Sequence, residues 1–362
     1  MYNFSPDALM CSVQKCIDTY NADLKRFNEV FREAFKSRAK GVKSGDLHKQ
    51  LNDNEITTDK TKIAWTHTLK QEFIKNKNLQ ESHKDRIKLA MYRPFNKQWL
   101  YWDKDWINRR RFSKIFPDKD AQNVVINTGV GNGKEFSALV SDCIPDYNLI
   151  SHNQAYPLYY YDDLGNRYNA ISGYALNLFR KHYEDHSIAE EEIFYYIYAI
   201  FHHKGYLEKY KNSLAKEAPR IALSEDFKEL SILGKELAKL HLNYESEELH
   251  ASVEYKTLMN AEEKGYYDVE TMKKIGDRIH YNNHIAITKI PKKAFEYVVN
   301  GKSAIDWVIE CYKKTRDKDS LIENNPNDYA GSQYVFEFLC RVIKLSEKSV
   351  DLIEKISEKR FE

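Results

Sequence analysis

Cysteine is sparse and scattered in this sequence. Five residues, Cys11, Cys16, Cys143, Cys311 and Cys340, are spread over 362 positions. An odd, dispersed set builds no disulfide framework and fits a reduced, cytoplasmic setting. Without paired Cys or His partners at ligand spacing, no zinc site is expected. Long apolar runs are also missing. None nears the roughly 18 residues that a membrane span requires, so no membrane partner is expected. The first ten residues lack a basic stretch followed by an apolar one, and no secretory leader is expected. There is no internal repeat and no low-complexity tract. Nor is there an excess of charge: 56 Lys and Arg against 54 Asp and Glu leave a net +2, which names no partner. What is present is a 42% apolar content, enough to exclude a disordered chain. The length provides for one large domain or two to three smaller ones.

Periodicity divides the chain into three parts. Ser5 and Pro6 form a helix start, and Leu9, Val13, Ile17, Tyr20, Leu24, Phe27, Phe31 and Phe35 recur every three or four residues. This predicts one long helix over 6–40, stopped at Gly41 and followed by a polar loop over 41–61. From 86 to about 165 the pattern is short, aromatic and β-branched. Strands are predicted near 98–102, 123–127, 135–140 and 156–161, with Pro94, Pro117, Pro145 and Pro157 in the connections. Helices dominate from about 166, with one short strand predicted at His284–Ile290. Ser187 with Glu190 reads as a capping box, Ser224 as the cap of a helix bearing Phe227, Leu230, Leu233, Leu237 and Leu240, and a terminal helix starts near Ser332. The fold class expected is α+β, with a helical lead-in segment, a β-rich central region and a helical C-terminal half packed around it.

The charge is unevenly placed. Residues 84–114 hold ten basic and three acidic residues, a local +7, so the remainder of the chain sums to −5. Trp99, Trp102, Trp106, Tyr92 and Tyr101 are interleaved. Lys and Arg neutralise phosphates, Arg reads guanine edges, and aromatics stack on bases or brace arginines. A solvated strand pair with an aromatic core face has the same composition. Three further motifs fail on their details. Asn127-Thr-Gly-Val-Gly-Asn-Gly-Lys134 misses the phosphate-loop pattern, with Thr128 at its first position and Glu135 in place of Ser or Thr; a hairpin or loop that touches phosphate through backbone N–H groups fits better. Asn325-Pro-Asn-Asp-Tyr329 differs from the adenine methyltransferase loop by Asn327 and the inserted Asp328, and reads as a turn. Glu254-Tyr-Lys256 lacks a nearby upstream Asp for a metal nuclease and reads as a chance match.

An ordered series of segments resembles a known family. It begins with Tyr92-Arg-Pro-Phe-Asn-Lys-Gln-Trp-Leu-Tyr101 and Asn108-Arg-Arg-Arg111. It continues through Phe136-Ser-Ala-Leu-Val-Ser-Asp142, Ala155-Tyr-Pro-Leu-Tyr-Tyr-Tyr161, Phe194-Tyr-Tyr-Ile-Tyr198 and Ala218-Pro-Arg-Ile221. It closes with Leu233-Gly-Lys-Glu-Leu237, Tyr297-Val-Val-Asn-Gly301 and Ile305-Asp-Trp307. Over roughly 60–350 it is similar to the C-terminal specificity domain of Type ISP restriction–modification enzymes. Those are long polypeptides with a nuclease, a helicase-like ATPase, an adenine-N6 methyltransferase and a terminal target recognition domain. The resemblance implies a lead-in over 1–60 that joins an upstream methyltransferase part, and a recognition domain over 61–362.

It also implies double-stranded DNA as partner, with methyltransferase and helicase–nuclease parts on the same or a companion polypeptide. S-adenosylmethionine, ATP and Mg²⁺ are implied for the full-length enzyme and no cofactor for this chain, which carries no intact catalytic motif; no catalytic and no metal-binding residue is assigned. Residues expected near DNA are Arg93, Lys97, Asn108, Arg109, Arg110, Arg111, Lys114, Asn132 and Lys134. For Arg93 the alternative is a brace that pairs with a carboxylate, and Trp99, Tyr101 and Tyr159 to Tyr161 are expected in the core. Two rival readings stay open. One is an enzyme that itself methylates or cuts DNA. The other is a module that docks on a methyltransferase or helicase subunit through its long helices and never touches DNA.

Overall fold

The protein's structure, a computed structural model, describes residues 1–103, 106, 111–118, 121–129, 135–256 and 265–361, with only the backbone at 111. Its elements sort into two compact units assembled from alternating stretches of chain. The first comprises Met1–Leu89, Gln98–Arg111 and Lys314–Tyr329; the second comprises Ala90–Lys97, Phe112–Lys313 and Ala330–Glu362. Helices and several small sheets together make the α+β class expected.

In the first unit the helix starts where capping chemistry places it. Ser5 Oγ accepts from the Ala8 N–H, Pro6 takes the first helical position, and Asp7 sits in the first turn. Pro6–Arg26 runs through one π turn, Phe27–Phe31, into Arg32–Ala39. The periodic residues Leu9, Val13, Ile17, Tyr20, Leu24, Phe27 and Phe35 are buried as predicted. They share a core with Ile56, Ile63, Leu69, Phe73 and Tyr101. Buried acids are paired. Asp23 accepts from Thr57 N at 2.5 Å and Arg26 Nη2 at 3.0 Å, and Glu55 accepts from Arg38 Nη2 at 2.5 Å. Tyr2–Asn3 pairs with Trp99 and Leu100. Asn3 also donates to the Glu323 carbonyl, which fastens the small hairpin Thr315–Arg316/Glu323–Asn324.

The second unit holds an antiparallel sheet in which Val125–Thr128 lies between Ala138–Ser141 and Gln154–Pro157. Helices Glu190–Ile200 and Phe227–Leu242 cross beside it. Gly234 permits their approach: a Cβ there would lie 2.0 Å from the Tyr195 carbonyl oxygen. The long helix Tyr334–Ser357 packs on Phe227–Leu242. Within this unit a buried polar chain links the helices. Ser349 Oγ gives its proton to the Leu345 carbonyl, so His241 Nε2 must donate to Ser349 and His241 Nδ1 accepts from Tyr198 O–H at 2.6 Å. His202 Nδ1 donates to the Tyr198 carbonyl.

Three sequence expectations are corrected. Ser224 does not cap Phe227–Leu242: Asp226 holds the cap position, and Ser224 Oγ accepts from the Asp226 N–H before the helix begins. Ser187 is no helix cap, because its hydroxyl is bonded to Asp185; the first turn is closed at Ala189, whose N–H is met by Glu192. The region read as mostly helical after 166 contains a second sheet: the strand expected at His284–Ile290 is there as Ile285–Ile287, and Val253–Tyr255, Arg278–His280 and Lys273–Ile275, which the sequence does not predict, join it. Its strands are three residues each, too short to show a period. Among the described residues no helix is long and apolar enough to cross a membrane.

Two outcomes follow. Gly234→Ala is expected to cost about 2–3 kcal/mol or more, because a backbone carbonyl cannot yield as a side-chain tip does; urea unfolding measures it. Burial lowers His202 to about 4 and His241 well below its ordinary value. Both are therefore neutral when folded, and the unfolded chain binds protons first as pH falls below about 6.5. Stability is thus complete above that pH and declines toward 4, by about 2 kcal/mol at pH 5 from His202 alone. Urea midpoints at pH 8 and pH 5 should differ accordingly, and the difference should shrink in His202→Asn without vanishing, because His241 still contributes; equal midpoints in the wild type would contradict the assignment.

Candidate nucleic-acid interface

The basic segment divides by burial. Arg86, in the first unit, bonds Asp103 at 2.6 Å. In the second unit Arg93 and Lys97 flank the turn of the hairpin Ile87–Arg93/Asn96–Tyr101. Pro94 fixes one backbone angle, and Phe95 is held at φ +57° with its ring fully buried against Tyr244 and Tyr297. The Arg93 guanidinium lies 4.1 Å from the Tyr92 ring centroid, with Nη1 2.9 Å from Asp146 Oδ1. The bracing role is the one the structure gives it. Lys97 is corrected as a DNA contact. Its side chain is 7% exposed and its Nζ lies 2.9 Å from Glu245 Oε2. Burial alone would lower its pKa, but Asp142 and Glu245 hold it well above the ordinary lysine value, so the cation persists inside the fold. Glu245 is fixed in turn by Tyr334 O–H at 2.6 Å.

Lys114 is different. It ends the short helix Arg111–Lys114, is 64% exposed, and has Asp163 at 3.8 Å. Asn108, Arg109, Arg110, Asn132 and Lys134 lie outside the described residues, as does the Arg111 side chain. The glycine-rich stretch connects antiparallel strands: Thr128 pairs with Ala138 across it. A phosphate loop needs a strand leading to a helix, so that reading is excluded and the hairpin reading holds. Asn325 caps its own turn and bonds Asp328, and Tyr329 packs on Phe4 and Trp99, so the methyltransferase-like motif is a structural turn. Glu254 pairs with Arg278 and Lys256 with His280 across the intervening strand Ile285–Ile287. Among the described residues no group of three acids, His or Cys could hold a metal.

The aromatics split as well. Tyr101 and Tyr161 are in the core, but Tyr160 is exposed and stacks on Tyr168 with centroids 5.4 Å apart. One feature escaped the sequence reading. On Gln154–Pro157, Gln154 and Tyr156 point to the same exposed side, and Tyr156 O–H donates to Gln154 Oε1 at 2.7 Å. Burial of the ring raises the Tyr156 phenol above its ordinary value, so the hydroxyl keeps its proton. The strand is well anchored. Asp146, held by Arg93, begins a loop with Leu149 and Ile150 buried. Asn153 then donates to Asn127, which bonds the Leu139 carbonyl and Ser141. The run Asn153-Gln-Ala-Tyr-Pro157 does not alternate polar and apolar residues, so no local period announces the pair.

A family profile and solved structures point to the same family. The family profile described as Type ISP C-terminal specificity domain matches residues 1–338. Among solved structures, a nuclease-deletion mutant of the Type ISP restriction–modification enzyme LlaGI in complex with a DNA substrate mimic superposes with a TM-score of 0.85 at 31% identity, covering 100% of this chain and 32% of that one. The ATP-dependent Type ISP enzyme LlaBIII bound to DNA gives 0.83 at 32% identity, covering 100% of this chain and 22% of that one. The DrdV–DNA complex gives 0.80 at 27% identity, covering 98% and 34%. This chain therefore spans a third or less of the LlaGI and LlaBIII chains it matches. The comparison with curated proteins returned no match.

Because Lys97 is buried beside Glu245, Lys97→Met is expected to destabilise the fold by about 3 kcal/mol, the cost of leaving a partly buried carboxylate unpaired. The pair Lys97→Met, Glu245→Leu should recover part of that loss in a double-mutant cycle of urea unfolding. A single variant as stable as wild type would contradict the burial argument.

Proposed function

Since the chain belongs to the Type ISP C-terminal specificity domain family, we propose that it reads a double-stranded DNA sequence for a restriction–modification enzyme. The observation that carries this reading is the match over 98–100% of the chain to three enzymes solved with DNA, at 27–32% identity. That coverage favours DNA contact over a module that only docks on protein.

The residues assigned to DNA are Arg109, Arg110, Arg111, Lys114, Asn108, Asn132 and Lys134. The arginines supply phosphate neutralisation and bidentate contacts to guanine; Asn132 and Lys134 supply phosphate contacts from the glycine-rich hairpin. Arg93 and Lys97 hold the scaffold. Methylation and ATP-dependent translocation and cleavage belong to further parts of the same or a companion polypeptide, which bind S-adenosylmethionine, ATP and Mg²⁺. The setting is the cytoplasm, where such an enzyme meets DNA and where free thiols stay reduced.

Selection from random duplexes tests the reading. An enriched motif is expected, with affinity that falls steeply as salt rises. Replacing Arg109, Arg110 and Arg111 together with Ala is expected to lower the slope of log affinity against log salt by about two to three. Binding without an enriched motif, or without salt dependence, would contradict it.

A further inference from the structure

Gln154 is the one exposed side-chain amide in this sheet that is held in place by a neighbour on the same strand. Its Oε1 accepts from Tyr156 O–H at 2.7 Å. The Tyr156 ring is fixed in turn. It stands opposite Ile126 in the register and forms part of the wall of a 260 Å³ cavity lined by Ile126, Ile197, Phe201 and Pro219. The structure places the amide with Oε1 toward the phenol and Nε2 away from it. Oε1 keeps a second lone pair, and Nε2 has no partner among the described residues. One acceptor and one donor, side by side on a rigid strand, are what the major-groove edge of adenine requires. N6–H donates to the amide oxygen while N7 accepts from the amide nitrogen. Neither guanine, with two acceptors, nor the pyrimidines offer that pair.

The strand end is suited to such a task. Thr128, which faces Gln154 in the register, is followed by Gly129, where a Cβ would lie 3.0 Å from the Ile150 side chain. Sheet and loop are therefore packed closely just where Gln154 emerges. A flexible surface glutamine loses side-chain entropy on binding, whereas one already bonded to Tyr156 has lost most of it beforehand.

We propose that Gln154, oriented by Tyr156, is a specificity-determining residue that reads one adenine of the target through its major-groove edge. The proposal rests on the DNA-recognition reading above, and its test separates the two. Random duplexes are selected with the full chain, with Gln154→Ala and with Tyr156→Phe. The wild type is expected to enrich a motif containing an adenine at which Gln154→Ala loses about tenfold or more of its discrimination while the other positions keep theirs. Tyr156→Phe, which frees the amide to flip, is expected to lose part of the discrimination at the same position. In the wild-type motif, 7-deazaadenine at that position removes the N7 acceptor. It should weaken wild-type binding and leave Gln154→Ala binding unchanged.

A wild-type motif that Gln154→Ala leaves intact, or changes at a G·C pair, overturns the assignment of Gln154 while the recognition reading stands. A wild type that enriches no motif overturns the recognition reading itself, and the assignment with it. Circular dichroism and urea midpoints equal to wild type are expected for both variants, since Gln154 is exposed and Phe keeps the ring in its cavity.

Discussion

A cation taken out of water must meet an anion, and in this protein that requirement decides what the basic segment is for. Lys97 is buried with Glu245 and Asp142 beside it, and Arg93 is bound to Asp146 over the face of Tyr92. Removing either partner would leave a charge in a poorly solvating interior, which is far more costly than losing a surface ion pair. These pairs lock the turn that seats Phe95 among Tyr244 and Tyr297, a left-handed position that a bulky residue adopts only when its surroundings over-determine it. Through Asp146 the same constraint reaches the loop over 146–153 and, by way of Asn153 and Asn127, the strand that presents Gln154.

The local +7 thus has two uses. Arg86, Arg93 and Lys97 are spent within the fold. Lys114 remains open to solvent, and Arg109, Arg110 and Arg111 are assigned to DNA on the strength of their chemistry and of the family. A specificity domain needs both kinds. Phosphate contacts hold the duplex and carry no sequence information, while a rigid scaffold lets a few side chains discriminate among bases.

Much of this was legible in the sequence because it follows from period and capping. The stripe from Leu9 to Phe35, the turn at Asn325 and the failure of the phosphate-loop pattern all survive in the structure. The family was also legible, through segments whose order matters more than any one of them. What stayed hidden is non-local. Glu245 lies 148 residues from Lys97, so nothing near Lys97 announces that its charge is neutralised. The sheet built from Val253–Tyr255 and Lys273–Ile275 has strands too short for a period. Ser187 matched a capping pattern that Asp185 and Glu192 resolve differently. Gln154 matches no motif, and its place beside Tyr156 is set by the strand.

The central claim is that the segment's cations divide into those that hold the fold and those that meet DNA. Residue-resolved chemical labelling of lysine and arginine, with and without the selected duplex, tests it most directly. The account predicts that Lys97 resists labelling in both states, while Arg109, Arg110, Arg111 and Lys114 are labelled in the free protein and protected by DNA. A Lys97 that labels readily in the free protein and is protected by DNA, with the arginines indifferent, would contradict it.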